Sequence, residues 1–385
     1  MTPKADVVVI GGGVIGAACA YYLCAAGLDV HLVEQHFPAS GTSRACDSLI
    51  LTFDKTLGAE LELGRASAVL WADLAEVLDM DFEYARLGSL WFSESEVGMA
   101  AAMDKAREVQ AVGVEVQILD SRELRSLEPN LAPNLAGGIF FPDDAQVDAR
   151  RATLALLSAA RRRGLTLQAN APVIAIQRMS NGGGQVSKVV TQSGEILTDT
   201  VVCAAGVWSN DVARLVDVVL PIQPRKGHIL VTAKTPGLIH HPLLESSYVS
   251  TVQSASQDLQ VALVAEMTTS GTLLLGSSRQ FVGYDRSVAL AVVQAIASRA
   301  VRFLPALASV GAIRSYSGLR PWSPDHLPLI GPVPAVPGFY LATGHEGTGI
   351  GMAPITGRLV ADWIMGAELP PYAAQARPDR FDLVA

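Results

Sequence analysis

The order of apolar and polar positions predicts most of the elements of the chain before any composition is counted. Asp6–Ile10 is a short β-branched run that reads as a strand buried on both faces. Ala17–Ala26 is continuously apolar and closes at Gly27, the pattern of a buried helix with a glycine stop. Asp29–Val33 is a second short strand and ends in Glu34. Apolar residues at helical spacing predict helices over Leu57–Asp79, Thr153–Arg163 and Val288–Phe303. Leu165–Gln168, Val173–Gln177 and Thr200–Gly206 read as strands, with a hairpin tip at Ser180–Gly184. His228–Thr232, Val261–Ala265 and Thr272–Leu275 predict a separate antiparallel sheet. A last unit follows: a strand over Gly338–Ala342, a glycine-rich loop over Gly344–Gly351 and a helix over Ala353–Met365. From Pro370 the expected structure is a short surface extension.

This order places the chain in the α/β class, with a Rossmann-like βαβ dinucleotide domain and a second α+β domain built on an antiparallel sheet. Residues 1–85, 143–220 and 318–385 are assigned to the first domain, and 86–142 and 221–317 to the second.

Composition narrows the function classes. Of 385 residues, half are hydrophobic and 17% charged, enough to bury a large core and inconsistent with disorder over most of the length. With 37 acidic against 29 basic residues the net charge is −8, the wrong sign for a phosphate-binding nucleic-acid surface. No run reaches the roughly 18 apolar residues of a membrane span, and no signal peptide is expected at the N-terminus. Cys19, Cys24, Cys46 and Cys203 form no C-x-x-C pair, and His240-His241 has no matching third ligand. Neither an iron–sulfur cluster, a metal site nor a disulfide framework is therefore expected. The location expected is cytoplasmic, or peripheral at the inner face of the membrane.

The chemistry begins at Gly11-Gly12-Gly13-Val14-Ile15-Gly16, between the first strand and the first helix. Gly11 permits a tight turn, Gly13 lets the backbone approach a pyrophosphate, and Gly16 lets the helix pack closely on the strand. The helix N-terminus offers free N–H groups and the positive end of its dipole. Glu34 stands where an acid accepts hydrogen bonds from ribose hydroxyls. Ser40-Gly41-Thr42-Ser43-Arg44 adds hydroxyls and one arginine, either as a cofactor wall or as an ordinary loop.

Three separated pieces, in order, resemble the D-amino-acid oxidase-like family of FAD-dependent oxidoreductases, the group of glycine oxidase, sarcosine oxidase and amino-acid dehydrogenases. They are the N-terminal glycine motif with its acid, Ala204-Ala205-Gly206-x-Trp208, and Gly318-x-Arg320-Pro321-x-x-x-Asp325-x-x-Pro328-x-Ile330-Gly331 with its trailing glycine loop. Pro224–His228 and Ser270–Arg279 are similar to the FAD-carrying subunits of opine oxidases, hydrogen cyanide synthase and proline or hydroxyproline dehydrogenases.

The resemblance implies noncovalent FAD. Gly11, Gly13, Val14, Ile15, Gly16, Glu34 and Gln35 match the positions that hold its ADP half. Ser40, Thr42, Ser43, Arg44, Ala45 and Cys46 match the loop near the pyrophosphate and flavin, and Val173 matches the strand that meets adenine. Ala205, Gly206 and Trp208 match the ribityl wall, and Gly347, Thr348, Gly349 and Ile350 the loop at the pyrimidine end. Two departures stand out. Ala45-Cys46-Asp47-Ser48 replaces a pair of glycines near the flavin, and no histidine in that loop offers a covalent tether.

The implied reaction is oxidation of a C–N bond by hydride transfer from Cα to flavin N5, giving an imine that water hydrolyses. Arg320 matches the arginine that grips the substrate carboxylate; a structural salt bridge to Asp325 is the competing role. Tyr248 matches a tyrosine beside the same carboxylate or is a half-buried sheet residue. His345 and Glu346 either move a proton or shape the pocket, and Lys226 and His228 face either the site or solvent. The alternatives are a flavin-carrying subunit passing electrons to iron–sulfur partner chains and an NAD-dependent dehydrogenase. The segment at Ala204 and the second glycine loop argue against the latter. Assembly is expected as a hetero-oligomer with such partners or as a homo-oligomer, and the small-molecule partner is an amino acid or amine.

Overall fold

The computed structural model describes residues 2–179, 184–256 and 258–383, so the expected hairpin tip lies outside the described residues except for Gly184. Two sheets organise the molecule. The first has six strands in the order Leu329–Pro332, Phe339–Thr343, Val201–Cys203, Val7–Ile10, Val30–Val33 and Thr166–Gln168. All its pairs are parallel except the first, which is antiparallel.

The central strand shows why its sequence is apolar at every position. Val7 and Val9 pack with the helices Val14–Ala25, Ala149–Arg162 and Gly349–Met365 on one face. Val8 and Ile10 pack on the other face against an antiparallel meander of Val173–Arg178, Val186–Thr191 and Gly194–Leu197. A strand covered on both faces needs no polar alternation. The glycine-turn helix and the C-terminal helix cross closely because Gly357 has no side chain. A Cβ there would stand 2.5 Å from the backbone carbonyl of Ala18.

The second sheet has eight strands in the order Ala312–Trp322, Gln223–Lys234, Thr272–Phe281, Gln260–Met267, Leu243–Glu245, Ser89–Ser93, Gly137–Phe141 and Gln117–Asp120. It is antiparallel apart from one parallel pair, Leu243–Glu245 with Ser89–Ser93. The helix Leu290–Phe303 buries Val292, Ile296, Ala300 and Phe303 against it. The strand Ala312–Trp322 runs through position 318 without a break, so Arg320 stands on this larger sheet.

Two sequence expectations need correction. The C-terminal helix begins at Gly349 rather than Ala353, and Pro354 lies inside it. The first-turn N–H groups of a helix have no internal partner, so the glycines there forfeit no helical bond. Pro354, in the second turn, leaves the Ile350 carbonyl without its helical donor, and Trp71 Nε1 donates to it instead at 3.0 Å. The tail after Pro370 is not a surface extension: Ala373, Ala376 and Leu383 are buried, and Arg380 pairs with Asp325. Among the described residues no helix is long and apolar enough to cross a membrane.

Candidate active site

A cavity of about 420 Å³ runs from the glycine turn to the face of the larger sheet. Its first end is built by the βαβ unit. Gly11 has φ +113°, and a Cβ there would lie 2.9 Å from the carbonyl carbon of Ala204. Glu34 accepts from the N–H of Gly12 at 2.7 Å and from that of His36 at 2.8 Å. A carboxylate offers about four lone-pair directions, so both oxygens keep capacity for hydroxyl donors. The Ser43 hydroxyl accepts from the Val14 N–H at 3.0 Å. The N–H groups of Gly13 and Ile15 have no protein acceptor among the described residues. Free amides at the start of a 12-residue helix, with no Cβ in front of them, make a phosphate cradle.

The loop after Glu34 joins the two sheets. The Thr42 hydroxyl donates to the Leu319 carbonyl at 2.5 Å, and the Ser48 N–H to Glu266 Oε2 at 3.0 Å. Gly318 leaves room for Ala45, whose carbonyl oxygen would lie 2.7 Å from a Cβ. Ser40, Thr42, Ser43, Ala45, Cys46 and Asp47 all line the cavity. So do Gly11, Gly13, Val14, Ile15, Glu34, Gln35, Val173, Ala205, Gly206 and Trp208 from the expected set.

At the far end Arg320 lines the cavity with His345, Glu346, Gly347, Gly349 and Ile350. Arg225 pairs directly with Arg320 across the sheet, and Gly227 with Gly318. The Arg320 guanidinium lies over Gly227; a Cβ there would be 2.6 Å from Nη2 and 2.7 Å from Cζ. Its Nη1 donates to the Ser278 carbonyl at 2.9 Å, and it forms no ion pair among the described residues. Asp325 is taken by Arg380 instead.

Glu346 has a different role from Arg320. Its backbone is left-handed, φ 45°, and its carboxylate lies 3.2 Å from Arg225 Nη1 and 3.7 Å from Arg279 Nε. Burial works against its charge, but Arg279, Arg320 and Arg225 together hold the carboxyl below its ordinary range. It is an anion held among arginines. His345 is buried, with Nε2 2.9 Å from the Thr356 hydroxyl and Nδ1 without a protein partner. Desolvation pushes it down to about 3, so the ring is neutral near pH 7.

Four expected residues fall outside the lining. Arg44 is exposed, and the Thr348 hydroxyl donates to the His345 carbonyl at 2.7 Å. Gly16 serves the helix–strand contact, since a Cβ there would strike the Gly11 carbonyl. Tyr248 is buried on the short helix Tyr248–Gln253, not on a sheet, with Arg279 4.6 Å from its ring centroid. Lys226 and His228 face neither site nor solvent. Lys226 pairs with Asp285 at 2.7 Å, and His228 meets the Ser278 hydroxyl at 3.0 Å. Their alternates Gly227 and Ile229 are the ones that line the cavity, as strand alternation requires.

Sequence reasoning missed Arg225, Arg279, Gly227 and the cavity position of Asp47. Arg225 binds the carbonyls of Thr251, Val252 and Ser254 and so fixes the short helix. Only the register of three distant strands brings these residues together, and no local pattern announces it.

A fold with a dinucleotide cradle at one end of a cavity and an uncommitted guanidinium at the other defines a flavin- or nicotinamide-dependent oxidoreductase. The comparisons decide between them. The profile of the family described as FAD dependent oxidoreductase (DAO) matches residues 6–363, and the chain belongs to that family. It is 30% identical to glycine oxidase of Geobacillus kaustophilus over 94% of both chains. It is 29% identical to hydrogen cyanide synthase subunit HcnC of Pseudomonas aeruginosa over 97% of both. The crystal structure of the Geobacillus glycine oxidase superposes with a TM-score of 0.87 at 26% identity, covering 99% of this chain and 100% of that one.

The residues present fit FAD. The cradle glycines leave no Cβ in the path of a pyrophosphate, the free amides of Gly13 and Ile15 await an anion, and a cavity-lining histidine carries an unpartnered buried nitrogen. Gly11, Gly13, Val14, Glu34 and Val173 would hold the ADP half, with Ala205, Trp208, Gly347 and Gly349 along the rest. The protein is a FAD-dependent oxidoreductase.

Proposed function

We propose that this enzyme oxidises the C–N bond of a small amino acid or secondary amine that carries a carboxylate. The observation that carries the reading is Arg320, a guanidinium lining the cavity with no carboxylate of its own. Arg320 is half-buried, and a charge withdrawn this far from water is usually paired, so the missing partner is assigned to the ligand. The planar fork grips a carboxylate at two points and fixes its rotation, which turns Cα toward the cofactor. Bound FAD supplies the two-electron acceptor. The chain's own part is to hold the acid at Arg320, to keep Arg320 aligned on Gly227, and to wall the reacting carbon from water with the 40–48 loop and Gly347–Ile350. The names of the glycine oxidase relatives, which match nearly the whole chain, support the same substrate class.

Arg320→Leu tests the reading. The variant is expected to retain yellow FAD while its affinity for carboxylate-bearing amines falls tenfold to a hundredfold, the range of a lost charge-assisted hydrogen-bonded contact. Loss of flavin as the main defect would make Arg320 structural.

A second reading concerns assembly. HcnC is named as a subunit, and it matches this chain end to end. We propose that this chain too can work within a complex, electrons leaving the reduced flavin for iron–sulfur partner chains. Native mass measurement and the rate at which reduced protein reacts with oxygen separate that arrangement from a self-sufficient oxidase.

A further inference from the structure

We propose that Asp47 is a catalytic residue, holding the amine end of the substrate and taking the proton that the nitrogen must shed before C=N forms. The proposal rests on the amine-oxidation reading above. Asp47 and Arg320 are half-buried, and most of the fully buried charges near them have found a partner: Glu346 with Arg225, Lys55 with Asp54, and Lys226 with Asp285. Asp47 and Arg320 line one cavity, and neither forms an ion pair among the described residues. An unmatched carboxylate and an unmatched guanidinium in a single cavity are the complement of a zwitterion, with Arg320 for the carboxylate and Asp47 for the ammonium.

The segment that carries Asp47 is held on both sides, as a catalytic group requires. Before it, Thr42 is bonded to the Leu319 carbonyl next to Arg320, and Ala45 sits against Gly318. After it, Ser48 donates to Glu266, and Leu49–Ile50 pairs with Ala145–Gln146. Asp47 and Arg320 are thereby tied to one another through the backbone of neighbouring residues.

The step balances as follows. One N–H bond of the ammonium breaks; its electron pair stays on nitrogen and the proton goes to a carboxylate oxygen of Asp47. The Cα hydrogen then leaves as hydride, its nucleus and both electrons of the bond going to bound FAD, the oxidant of the established activity, and the nitrogen lone pair closes the C=N bond. Asp47 returns its proton to solvent when product leaves.

Burial raises the Asp47 carboxyl above its ordinary range, against the opposing pull of Arg320 and Arg279. The charged and titratable groups around it are Arg320 and Tyr316 on one strand, Arg279 and Glu266 on two others, Tyr248 on the short helix, and Cys46 and Asp54 on its own segment. Glu266 is the rival source of a pH effect, because burial pushes it up to about 8.

The experiment uses the FAD-loaded chain and its Asp47→Asn, Asp47→Gly and Glu266→Gln variants. Flavin absorbance is titrated with α-aminoisobutyrate, which has no α-hydrogen to lose, and with isobutyrate. The rate of flavin reduction by the amine that bleaches the parent fastest is then followed against pH without oxygen. Both Asp47 variants are expected to keep flavin and isobutyrate binding, to lose affinity for the amino acid about tenfold, and to slow reduction about a hundredfold. The acid limb of the parent's rate profile should vanish in them and persist in Glu266→Gln. Equal weakening toward both ligands, or an acid limb that survives in both Asp47 variants, overturns the proposal. A parent whose flavin no carboxylate-bearing amine reduces overturns the functional reading and this inference with it, an outcome distinct from failure of the variants alone.

Discussion

Gly227 shows how one absent side chain sets the position of a functional one. Arg320 lies flat over it, and a methyl group there would overlap the guanidinium while touching only the far end of a flexible side chain. Gly227→Ala is therefore expected to leave the fold and flavin content intact, since the arginine can swing aside. KM for a carboxylate-bearing amine should rise about tenfold, and steady-state kinetics beside a thermal melt check the pair of expectations. His345 gives a pH prediction at the same scale. Its native value of about 3 lies below the ordinary 6.5, so between those values the unfolded chain binds a proton that the native protein does not. Its contribution is whole above pH 6.5 and is lost as pH falls toward 3. Asp144, pushed up to about 7, and Glu266 act in the opposite sense. The clean readout is hence a difference: His345→Gln should show a shallower fall of Tm between pH 6.5 and 4 than the parent. Arg320 was legible in the sequence because its glycine–arginine–proline motif is local. Gly227, Arg225 and Arg279 were not, because their meaning lies in a cross-strand register that brings distant segments together.

At the scale of elements, the glycine-turn unit was readable almost residue by residue. Its strand is buried on both faces, its turn requires positive φ at Gly11, and its acid follows at the end of the second strand. The C-terminal helix was harder. A Gly-Ile-Gly start and an internal proline argue against a helix by propensity, yet the first turn asks for no internal N–H partner, and the carbonyl that Pro354 leaves without a donor is taken by the distant Trp71. Its packing yields a test. Gly357→Ala would press a methyl group into the backbone at Ala18 and Cys19, which cannot swing away as a side chain can. The expected cost is about 1–3 kcal/mol of overpacking. A chemical denaturation curve should show it, together with weaker FAD retention, because the same crossing supports both glycine loops. The tail after Pro370 shows no helical or strand period, because its buried residues, Ala373, Ala376, Pro378 and Leu383, are scattered and half of them are alanines with little apolar signal.

Over the whole molecule, the cavity is a joint product of two sheets. The cradle comes from the glycine-turn unit on the six-stranded sheet, the guanidinium from the eight-stranded one, and the 40–48 loop is bonded to the first turn of the cradle helix and to the larger sheet. A ligand that touches both halves binds only the folded arrangement, so free FAD should raise Tm in a concentration-dependent way, by mass action. A melt of the flavin-depleted chain against added FAD measures it, and an unchanged Tm would contradict the joint site. The α/β class and the dinucleotide end were legible because backbone approach demands glycine at fixed spacing. The substrate end was legible at Arg320 and in the loop from His345 to Ile350, and the rest is assembled by sheet register. The central claim is that a carboxylate-bearing amine passes its electrons to FAD in this cavity. Anaerobic mixing of the flavin-loaded protein with a panel of amino acids, N-alkyl amino acids and opines, each beside its deaminated acid, tests that claim directly. Bleaching of the flavin by at least one amine and by none of the acids is the predicted result. Flavin that is retained but stays oxidised across the whole panel would contradict it.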